Sequence, residues 1–254
     1  MKNNKIQDRV ILITGGSSGI GHATALAFAR EHAQVAITYK GSADAAAQVV
    51  AEIEKEGGEG LAIAMDLSDH ASIKAASEKV IEQWGHIDVL VANAVNWGSD
   101  RMQPSKHIEN ISLGEWQAMV DINLIGTIAS VQAVLPGMRK QKSGRIILLS
   151  SDVTHERMPG LSHYVSAKGA LNAILAAFAA DFGPDGITAN IVLPGFTTTE
   201  RMRSVPEQVK NMVLAQTPTG RLSAPEDIAS AIVFLASTRA KNITGEMLKV
   251  NGGK

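Results

Sequence analysis

The segment Thr14-Gly15-Gly16-Ser17-Ser18-Gly19-Ile20-Gly21 joins a predicted strand over residues 10–14 directly to a predicted helix over residues 20–30. Glycines at such a junction permit a tight turn and let a pyrophosphate approach the backbone at the helix N-terminus. A glycine-rich stretch alone is weak evidence, and an ordinary strand–helix turn is the alternative. The position of this stretch after the first strand favours a dinucleotide-binding loop.

The rest of the chain repeats this alternation of short apolar runs and longer helical patterns. Predicted strands cover residues 10–14, 34–39, 61–65, 89–92, 145–150, 188–193 and 246–250. Predicted helices cover residues 20–30, 43–56, 71–84, 113–139, 164–182 and 224–237. The strand segments are apolar almost throughout, which is typical of strands buried on both faces of a parallel sheet. The pattern predicts an α/β protein, a three-layer doubly wound Rossmann fold with a mostly parallel seven-stranded sheet.

No linker, repeat or low-complexity segment interrupts the pattern, so we expect residues 1–254 to form a single domain. Two long loops, residues 95–112 and 196–219, follow the carboxyl ends of predicted strands, where open α/β sheets bind ligands. We interpret residues 196–219 as a lid over a substrate site. Surface decoration is the alternative.

Composition excludes several classes of function. The net charge of −1 argues against a nucleic-acid or membrane-surface partner, since both favour a strong basic excess. Cysteine is absent, which excludes disulfides, thiol catalysis and cysteine-ligated zinc. The seven histidines form no motif such as HExxH, so no metal site is predicted. The chain starts without the apolar run of a signal peptide, and no stretch approaches about 18 uninterrupted apolar residues, so we expect a soluble cytoplasmic protein.

Tyr164 and Lys168 lie four residues apart at the start of a predicted helix, so their side chains share one helix face. An ammonium near a phenol stabilises the phenolate and lowers the pKa of the tyrosine from about 10. A lowered pKa suits a general acid that works near neutrality. Taken alone, this is no more than an ordinary helical Tyr/Lys pair.

Further motifs accompany the pair: residues 14–21, Asp66, Asn93-Ala94, Asn123, Ser151, Pro194-Gly195, and residues 221–228, 244–245 and 250–253. Together they resemble the short-chain dehydrogenase/reductase family, in its single-domain branch, over nearly the full chain. The pattern is most similar to that of the 3-oxoacyl-[acyl-carrier-protein] reductases. The resemblance implies a nicotinamide-dependent enzyme that reduces a ketone to a secondary alcohol.

The resemblance assigns four catalytic residues. Tyr164 would protonate the carbonyl oxygen, while Lys168 would bind the nicotinamide ribose and lower the pKa of Tyr164. Ser151 would hydrogen-bond the substrate oxygen; Ser150 is a rival by sequence, but the family's separation of thirteen residues from the tyrosine selects Ser151. Asn123 would hold a water that relays protons through Lys168, and a satisfied polar residue at a helix break is the alternative.

The resemblance also assigns the NAD(P) contacts. The backbone of Ile20 and Gly21 would face the phosphates, and the Asp66 carboxylate would meet the adenine amino group. Asp66 could instead belong to the N-cap region of the next helix. The full predicted set is Gly15, Ser17, Ser18, Ile20, Gly21, Tyr39, Lys40, Ser42, Asp66, Leu67, Asn93, Ala94, Tyr164, Lys168, Pro194, Thr197 and Thr199.

The end of the second predicted strand favours NADP(H), with NAD(H) kept as an option. An acidic residue there would bind the ribose hydroxyls of NAD(H), whereas this chain has Tyr39-Lys40-Gly41-Ser42. Lys40 could attract a 2′-phosphate. A solvated loop lysine is the alternative.

One position departs from the family pattern. The family usually has Asn-Asn-Ala-Gly after the fourth strand, and this chain has Ala92-Asn93-Ala94-Val95. Val95 adds bulk beside the cofactor. We therefore expect altered loop geometry and altered adenosine-ribose contacts rather than lost activity.

Surface patterns bear on partners. Residues 167–180 are apolar on nearly every face of the predicted helix, so this helix needs cover on both sides. The resemblance implies a homo-oligomer, a tetramer built through four-helix contacts. A basic cluster is either a solvated face or a patch that docks an acidic acyl carrier protein; it consists of Arg139, Lys140, Lys142 and Arg145.

Two other functions stay open. One is a sugar, steroid or secondary-metabolite alcohol dehydrogenase of the same fold. The other is a non-catalytic, cofactor-sensing protein, although such relatives typically lose the tyrosine or the lysine and both are present here.

Overall fold

The computed structural model describes residues 6–98, 107–156 and 159–254. The described part of the chain contains one seven-stranded sheet with the order β3-β2-β1-β4-β5-β6-β7, and every pair of neighbours is parallel. The strands are β1 (Val10–Ile13), β2 (Gln34–Tyr39), β3 (Glu59–Ala64), β4 (Val89–Ala92), β5 (Gly144–Leu149), β6 (Ile187–Pro194) and β7 (Met247–Val250). Strands β1, β4 and β5 are buried along their whole length, which explains their unbroken apolar sequence.

Helices cover both faces of the sheet. They are α1 (Gly19–Ala29), α2 (Ala43–Lys55), α3 (His70–Trp84), α4 (Leu113–Val120), α5 (Gly126–Gln141), α6 (Ser162–Phe182), α7 (Glu207–Ala215) and α8 (Pro225–Ala236). One apolar cluster joins α1, α2 and α8 to the sheet, and a second joins α3, α5 and α6 to it. The predicted three-layer, doubly wound fold is confirmed.

Two predicted segments differ from the structure. The helix predicted over residues 113–139 contains one π-helical turn, Asp121–Ile125, between α4 and α5. A π turn adds one residue to a helical turn and is frequent at functional sites. Helix α7 lies inside the predicted loop 196–219. Of the other predicted loop, residues 99–106 lie outside the described residues.

Two helical stretches, Leu113–Gln141 and Ser162–Asp185, are long and apolar enough to cross a membrane by length and composition alone. Both lie on the sheet in this fold. Met138 of α5 and Leu175 of α6 belong to the same buried cluster as the apolar residues of β4, β5 and β6. Packing against the sheet therefore accounts for one apolar side of each stretch.

Gly21 lies where the glycine loop enters α1. A Cβ atom there would be 2.3 Å from the carbonyl oxygen of Gly15 and 2.6 Å from Nδ2 of Asn93. Both distances are far below van der Waals contact, so no side chain fits. The absence of a side chain lets α1 start against the loop that follows β4.

We expect Gly21→Ala to lower the free energy of unfolding by roughly 2 kcal/mol, because α1 must move away from Gly15 and Asn93. Chemical denaturation of the two proteins measures this difference. Gly137→Ala is the matched control, since a Cβ at Gly137 of α5 meets nothing within 4 Å and alanine favours a helix by up to about 1 kcal/mol. Equal stability of the Gly21→Ala variant and the wild type would contradict the prediction.

Candidate active site

The predicted functional residues lie at one edge of the sheet, because the strands are parallel and most of these residues follow a strand's carboxyl end. Strand order reverses at β1, which has β2 on one side and β4 on the other. Ligands bind open α/β sheets in the crevice at such a reversal. Within the described ranges, no three His, Asp or Glu side chains form a group that could hold a metal ion.

Thr14 and Asn93 bridge the crevice between β1 and β4. Thr14 Oγ1 accepts the backbone N–H groups of Asn93 and Ala94, each at 3.0 Å. Asn93 Nδ2 donates to the carbonyl oxygens of Thr14 at 3.0 Å and Gly15 at 2.9 Å. These bonds fix the glycine loop beside Asn93 and Ala94, two of the predicted cofactor contacts.

Lys40 and Asp66 form an ion pair just beyond the ends of β2 and β3, with 2.7 Å between Nζ and Oδ2. Asp66 Oδ1 also accepts the N–H and O–H of Ser68, at 2.9 and 2.7 Å. The hydrogen bonds from Lys40 and then Ser68 lower the pKa of Asp66 to about 2. Lys40 is therefore paired rather than merely solvated, and its side chain is still 68% exposed.

The helix cap near Asp66 belongs to another residue. Asp69 is the N-cap of α3, and its Oδ1 accepts the N–H of Ala71 at 2.9 Å. The Asp66 carboxylate instead contacts Lys40 and Ser68, so its predicted contact with adenine stays a prediction. Three further predicted contacts lie at or just beyond the ends of β2 and β3: Tyr39, Ser42 and Leu67.

Tyr164 and Lys168 lie one turn apart on α6, and both are buried. Tyr164 is hydrogen-bonded to the side chain of Ser151, the second residue after β5. Lys168 Nζ donates to the carbonyl oxygen of Leu149, the last residue of β5, at 2.8 Å. The structure thus brings three of the four predicted catalytic residues to the end of one strand.

Ser150, the rival of Ser151, has a different partner. Its Oγ donates to the carbonyl oxygen of Lys168 at 3.2 Å, and the residue is buried. This bond ties the end of β5 to the backbone of α6. Ser151 is therefore the serine whose side chain meets Tyr164.

Burial dominates the ionisation of Tyr164 and Lys168. Removal from water raises the pKa of Tyr164 above its ordinary value of 10.0, against the opposing effects of the Ser151 hydrogen bond and the positive charge of Arg201. Burial also lowers the pKa of Lys168 to about 8. The predicted lowering of the Tyr164 pKa is wrong for this structure, because desolvation outweighs the favourable interactions of the phenolate.

Asn123 lies in the middle of the π turn and is fully buried. Its Oδ1 accepts the N–H of Asn96 at 2.9 Å, and its Nδ2 donates to the carbonyl oxygens of Asn96 at 2.9 Å and Met119 at 3.1 Å. The side chain therefore joins the helix to the loop after β4. The hydrogen-bonding groups of the Asn123 side chain are satisfied at a helix break, which agrees with the alternative interpretation of the sequence. The role of Asn123 in a proton relay stays a prediction.

Val95, the departure from the family pattern, packs against the small apolar cluster that contains Tyr164. Its half-buried side chain packs against Met119, Tyr164 and Ala167. Its backbone φ is not positive, so no glycine is required here. The side chain of Val95 therefore adds apolar bulk to the cluster that contains Tyr164.

Sequence reasoning missed an aromatic cover on Tyr164. The Trp97 ring stacks on the Tyr164 ring with 4.8 Å between centroids and 18° between planes. Arg201 Cζ lies over Trp97, 4.9 Å from its ring centroid. Trp97 follows β4 and Arg201 follows β6, so two loops meet over the phenol. The one available signal was that both residues lie in the two long predicted loops.

The segment after β6 approaches the glycine loop. Thr197 Oγ1 donates to the carbonyl oxygen of Gly195 at 3.0 Å, which folds the chain back at the strand end. A Cβ on Gly19 would lie 3.2 Å from the methyl group of Thr199. A cleft of about 390 Å³ lies at this contact, lined by residues of α1, residues 196–202 and the start of α8.

The basic cluster does not lie at the active site. Arg145 is buried at the amino end of β5, whereas Ser151 follows its carboxyl end. Arg139 and Lys142 pair with Asp185. The cluster therefore lies at the opposite edge of the sheet from Ser151, and its interpretation as a docking patch stays a prediction.

Comparisons with known proteins agree with this fold. A family model described as enoyl-(acyl carrier protein) reductase matches residues 15–254. The 3-oxoacyl-[acyl-carrier-protein] reductase FabG of Staphylococcus aureus is 37% identical over 242 residues, which cover 95% of this chain and 96% of the relative.

Solved structures show the same similarity. A levodione reductase matches with a TM-score of 0.90 and 28% identity over 97% of each chain. A 7α-hydroxysteroid dehydrogenase complexed with NADH and a 7-oxo bile acid matches with a TM-score of 0.91 and 30% identity, over 98% of this chain and 95% of the other. The chain belongs to the short-chain dehydrogenase/reductase family and is an oxidoreductase that acts on CH–OH and C=O groups.

Proposed function

We propose that this chain is an NADPH-dependent reductase that converts 3-oxoacyl thioesters, carried on an acyl carrier protein, into 3-hydroxyacyl thioesters. The observation that carries the reaction type is the hydrogen-bonded Ser151–Tyr164 pair beside buried Lys168 at the carboxyl edge of the sheet. The substrate class is supported by the names of the matched reductases. The acyl carrier protein rests on those names alone, since the basic cluster lies at the other edge.

The residues at the crevice fit a nicotinamide dinucleotide. The glycine loop leads directly into α1, and the first turn of α1 holds no acidic residue that would repel a phosphate. Backbone N–H groups and the positive end of the helix dipole at that turn suit a pyrophosphate. When bound, the nicotinamide supplies a hydride. We propose that residues 15–21 hold the phosphates, that Asp66 and Asn93 border the adenosine, and that Pro194, Thr197 and Thr199 border the nicotinamide.

Tyr164 acts as the general acid of the reduction. Because burial raises the pKa of its phenol, Tyr164 is protonated at neutral pH, the form that can protonate a carbonyl oxygen. Ser151 donates a hydrogen bond to the same oxygen and stabilises the negative charge that develops there. The ammonium of Lys168 stabilises the phenolate that remains, and Asn123 positions the water that returns a proton.

The loops and outer surfaces support three further parts of the proposal. Residues 196–219 act as a lid within the single domain 1–254, since Thr199 touches the glycine loop and Arg201 lies over Trp97. Helix α6 has 21 residues, of which six are buried, so most of its apolar surface is available to a second subunit. We therefore propose a homotetramer that works in the cytoplasm.

A second candidate is a reductase of cyclic ketones. The stacked ring of Trp97 on Tyr164 favours it, because a flat aromatic wall beside the catalytic phenol suits a planar or cyclic substrate. Two of the matched structures also carry names of enzymes of this kind, a levodione reductase and a hydroxysteroid dehydrogenase.

A steady-state screen decides between these candidates. Wild-type enzyme and Tyr164→Phe are assayed with NADPH and NADH against 3-oxoacyl thioesters, cyclic ketones and sugars. We expect the highest kcat/KM with NADPH and a 3-oxoacyl thioester, and a loss of about 10²–10⁴-fold in Tyr164→Phe with unchanged NADPH binding. A preference for cyclic ketones supports the second candidate, and full activity of Tyr164→Phe contradicts the catalytic assignment.

We expect Lys40→Ala to reduce kcat/KM for NADPH about tenfold. The Lys40 ammonium lies just beyond the end of β2 and attracts a 2′-phosphate even while it is paired with Asp66. The value for NADH should change less than about twofold. Kinetics with both cofactors measure the ratio. Lys74→Ala, which removes an exposed lysine from α3, is the matched control. Equal use of the two cofactors by wild type, with no effect of Lys40→Ala, would argue for NAD(H).

The buried ammonium of Lys168 makes stability depend on pH. Its pKa is lowered from 10.5 to about 8 in the folded state, so folding below about pH 8 carries the cost of a buried charge. That cost fades as pH rises from about 8 toward 10.5. The free energy of unfolding of the wild type should therefore rise by roughly 2 kcal/mol relative to Lys168→Met between about pH 7 and 9.5. Parallel denaturation curves measure this difference, and a constant offset would contradict it.

A further inference from the structure

Asp152 follows Ser151 directly and begins a short 3₁₀ turn, Asp152–His155. Its side chain is almost entirely buried, with 2% of the residue exposed. A buried carboxylate costs several kcal/mol unless hydrogen bonds and an opposite charge compensate it. The partners of Asp152 therefore decide where this residue, and Ser151 with it, can lie.

Both partners of Asp152 come from the far end of the chain. Asn251 Nδ2 donates to Oδ2 at 2.7 Å, and Lys249 Nζ lies 3.1 Å from Oδ1. Lys249 belongs to β7, and Asn251 comes directly after it. Hence the carboxylate joins the residue after Ser151 to the end of the last strand.

Asn251 also meets the segment that follows β6. A Cβ on Gly195 would lie 2.7 Å from Cβ of Asn251, and the N–H of Gly195 donates to the carbonyl oxygen of Val250 at 3.0 Å. Asn251 therefore touches Asp152 on one side and Gly195 on the other. It sets the distance between the strand end that carries Ser151 and the segment that borders the proposed nicotinamide site.

We propose that Asp152 is a positioning residue, held by Lys249 and Asn251, that fixes Ser151 relative to Tyr164 and to the Pro194-Gly195 segment. The inference rests on the proposed function, since it concerns how well the ketone oxygen is placed. The backbone of Ser151 has one further tie, because Thr154 Oγ1 donates to its carbonyl oxygen at 2.8 Å. That tie lies within the same turn, whereas the Asp152 contacts anchor the turn to the sheet.

The test compares Asp152→Asn and Lys249→Met with the wild type. Asparagine keeps the shape of Asp152 but removes its charge and one acceptor. Lys249 is 44% exposed, so its replacement leaves the core intact and tests the inference even where Asp152→Asn folds poorly. We expect kcat to fall about tenfold in Asp152→Asn and about threefold in Lys249→Met, with the Kd of NADPH unchanged, because small displacements of a catalytic group slow the chemical step.

A double variant shows whether the two residues act as one unit. Asp152→Asn/Lys249→Met should be no slower than Asp152→Asn alone, since the ion pair is already lost. Glu156→Gln is the matched control: it breaks the ion pair of 2.9 Å between Lys254 and Glu156, which joins the same tail to the chain five residues after Ser151. Its kcat should stay within about twofold of wild type.

The outcomes separate this inference from the proposed function. If the wild type is inactive on all ketones, the proposed function is wrong. If the wild type is active and kcat is unchanged in both single variants, the positioning role of Asp152 is wrong. Equal losses in Glu156→Gln and Asp152→Asn also overturn it, because general loosening of the tail would then explain the effect. Additive losses in the double variant contradict the coupling through the ion pair.

Discussion

The hydroxyl of Thr14 holds together the two strands on which the site is built. Strands β1 and β4 are neighbours, but the chain leaves β1 toward one half of the sheet and returns from β4 to the other. Helices cannot cover the crevice where these paths diverge, so the backbone there needs side-chain partners. Thr14 Oγ1 and the Asn93 amide supply four such hydrogen bonds. The glycine loop, the start of α1 and the loop that carries Trp97 all take their positions from this contact.

The catalytic pair is placed at an energetic cost that the surrounding fold must offset. Tyr164 and Lys168 are both removed from water, and burial shifts both pKa values toward the neutral forms. The proposed reduction needs a protonated phenol, so the burial that destabilises the phenolate favours the form of Tyr164 that the proposal requires. The carbonyl oxygen of Leu149 accepts a bond from the ammonium and keeps it at the strand end. Under the proposed function, stability and catalysis are therefore linked through the same two side chains.

Local sequence patterns predicted the sheet, the glycine loop and the Tyr164/Lys168 face, because each depends on residues a few positions apart. The contacts that escaped prediction join residues far apart in the chain. Examples are the Lys40–Asp66 ion pair between neighbouring strand ends and the stacking of Trp97 on Tyr164. The π turn at Asn123 also escaped, since one added residue leaves the helical periodicity nearly unchanged. Strand direction alone could have placed Arg145 of the basic cluster at the edge away from Ser151, because Arg145 lies near the start of the strand that Ser151 follows.

Two loops meet over Tyr164, where the proposed function places the substrate. Val95 and Trp97 come from the loop after β4, and Arg201 comes from the segment after β6. Tyr164 is 3% exposed beneath this cover, so under the proposed function a ketone must displace the cover to reach the phenol. The Asn123 side chain holds the backbone N–H and C=O of Asn96, the residue directly before Trp97, through two hydrogen bonds. Under the proposed function, Trp97 and Arg201 therefore bear on substrate choice, and the Asn123–Asn96 hydrogen bonds hold the chain directly before Trp97.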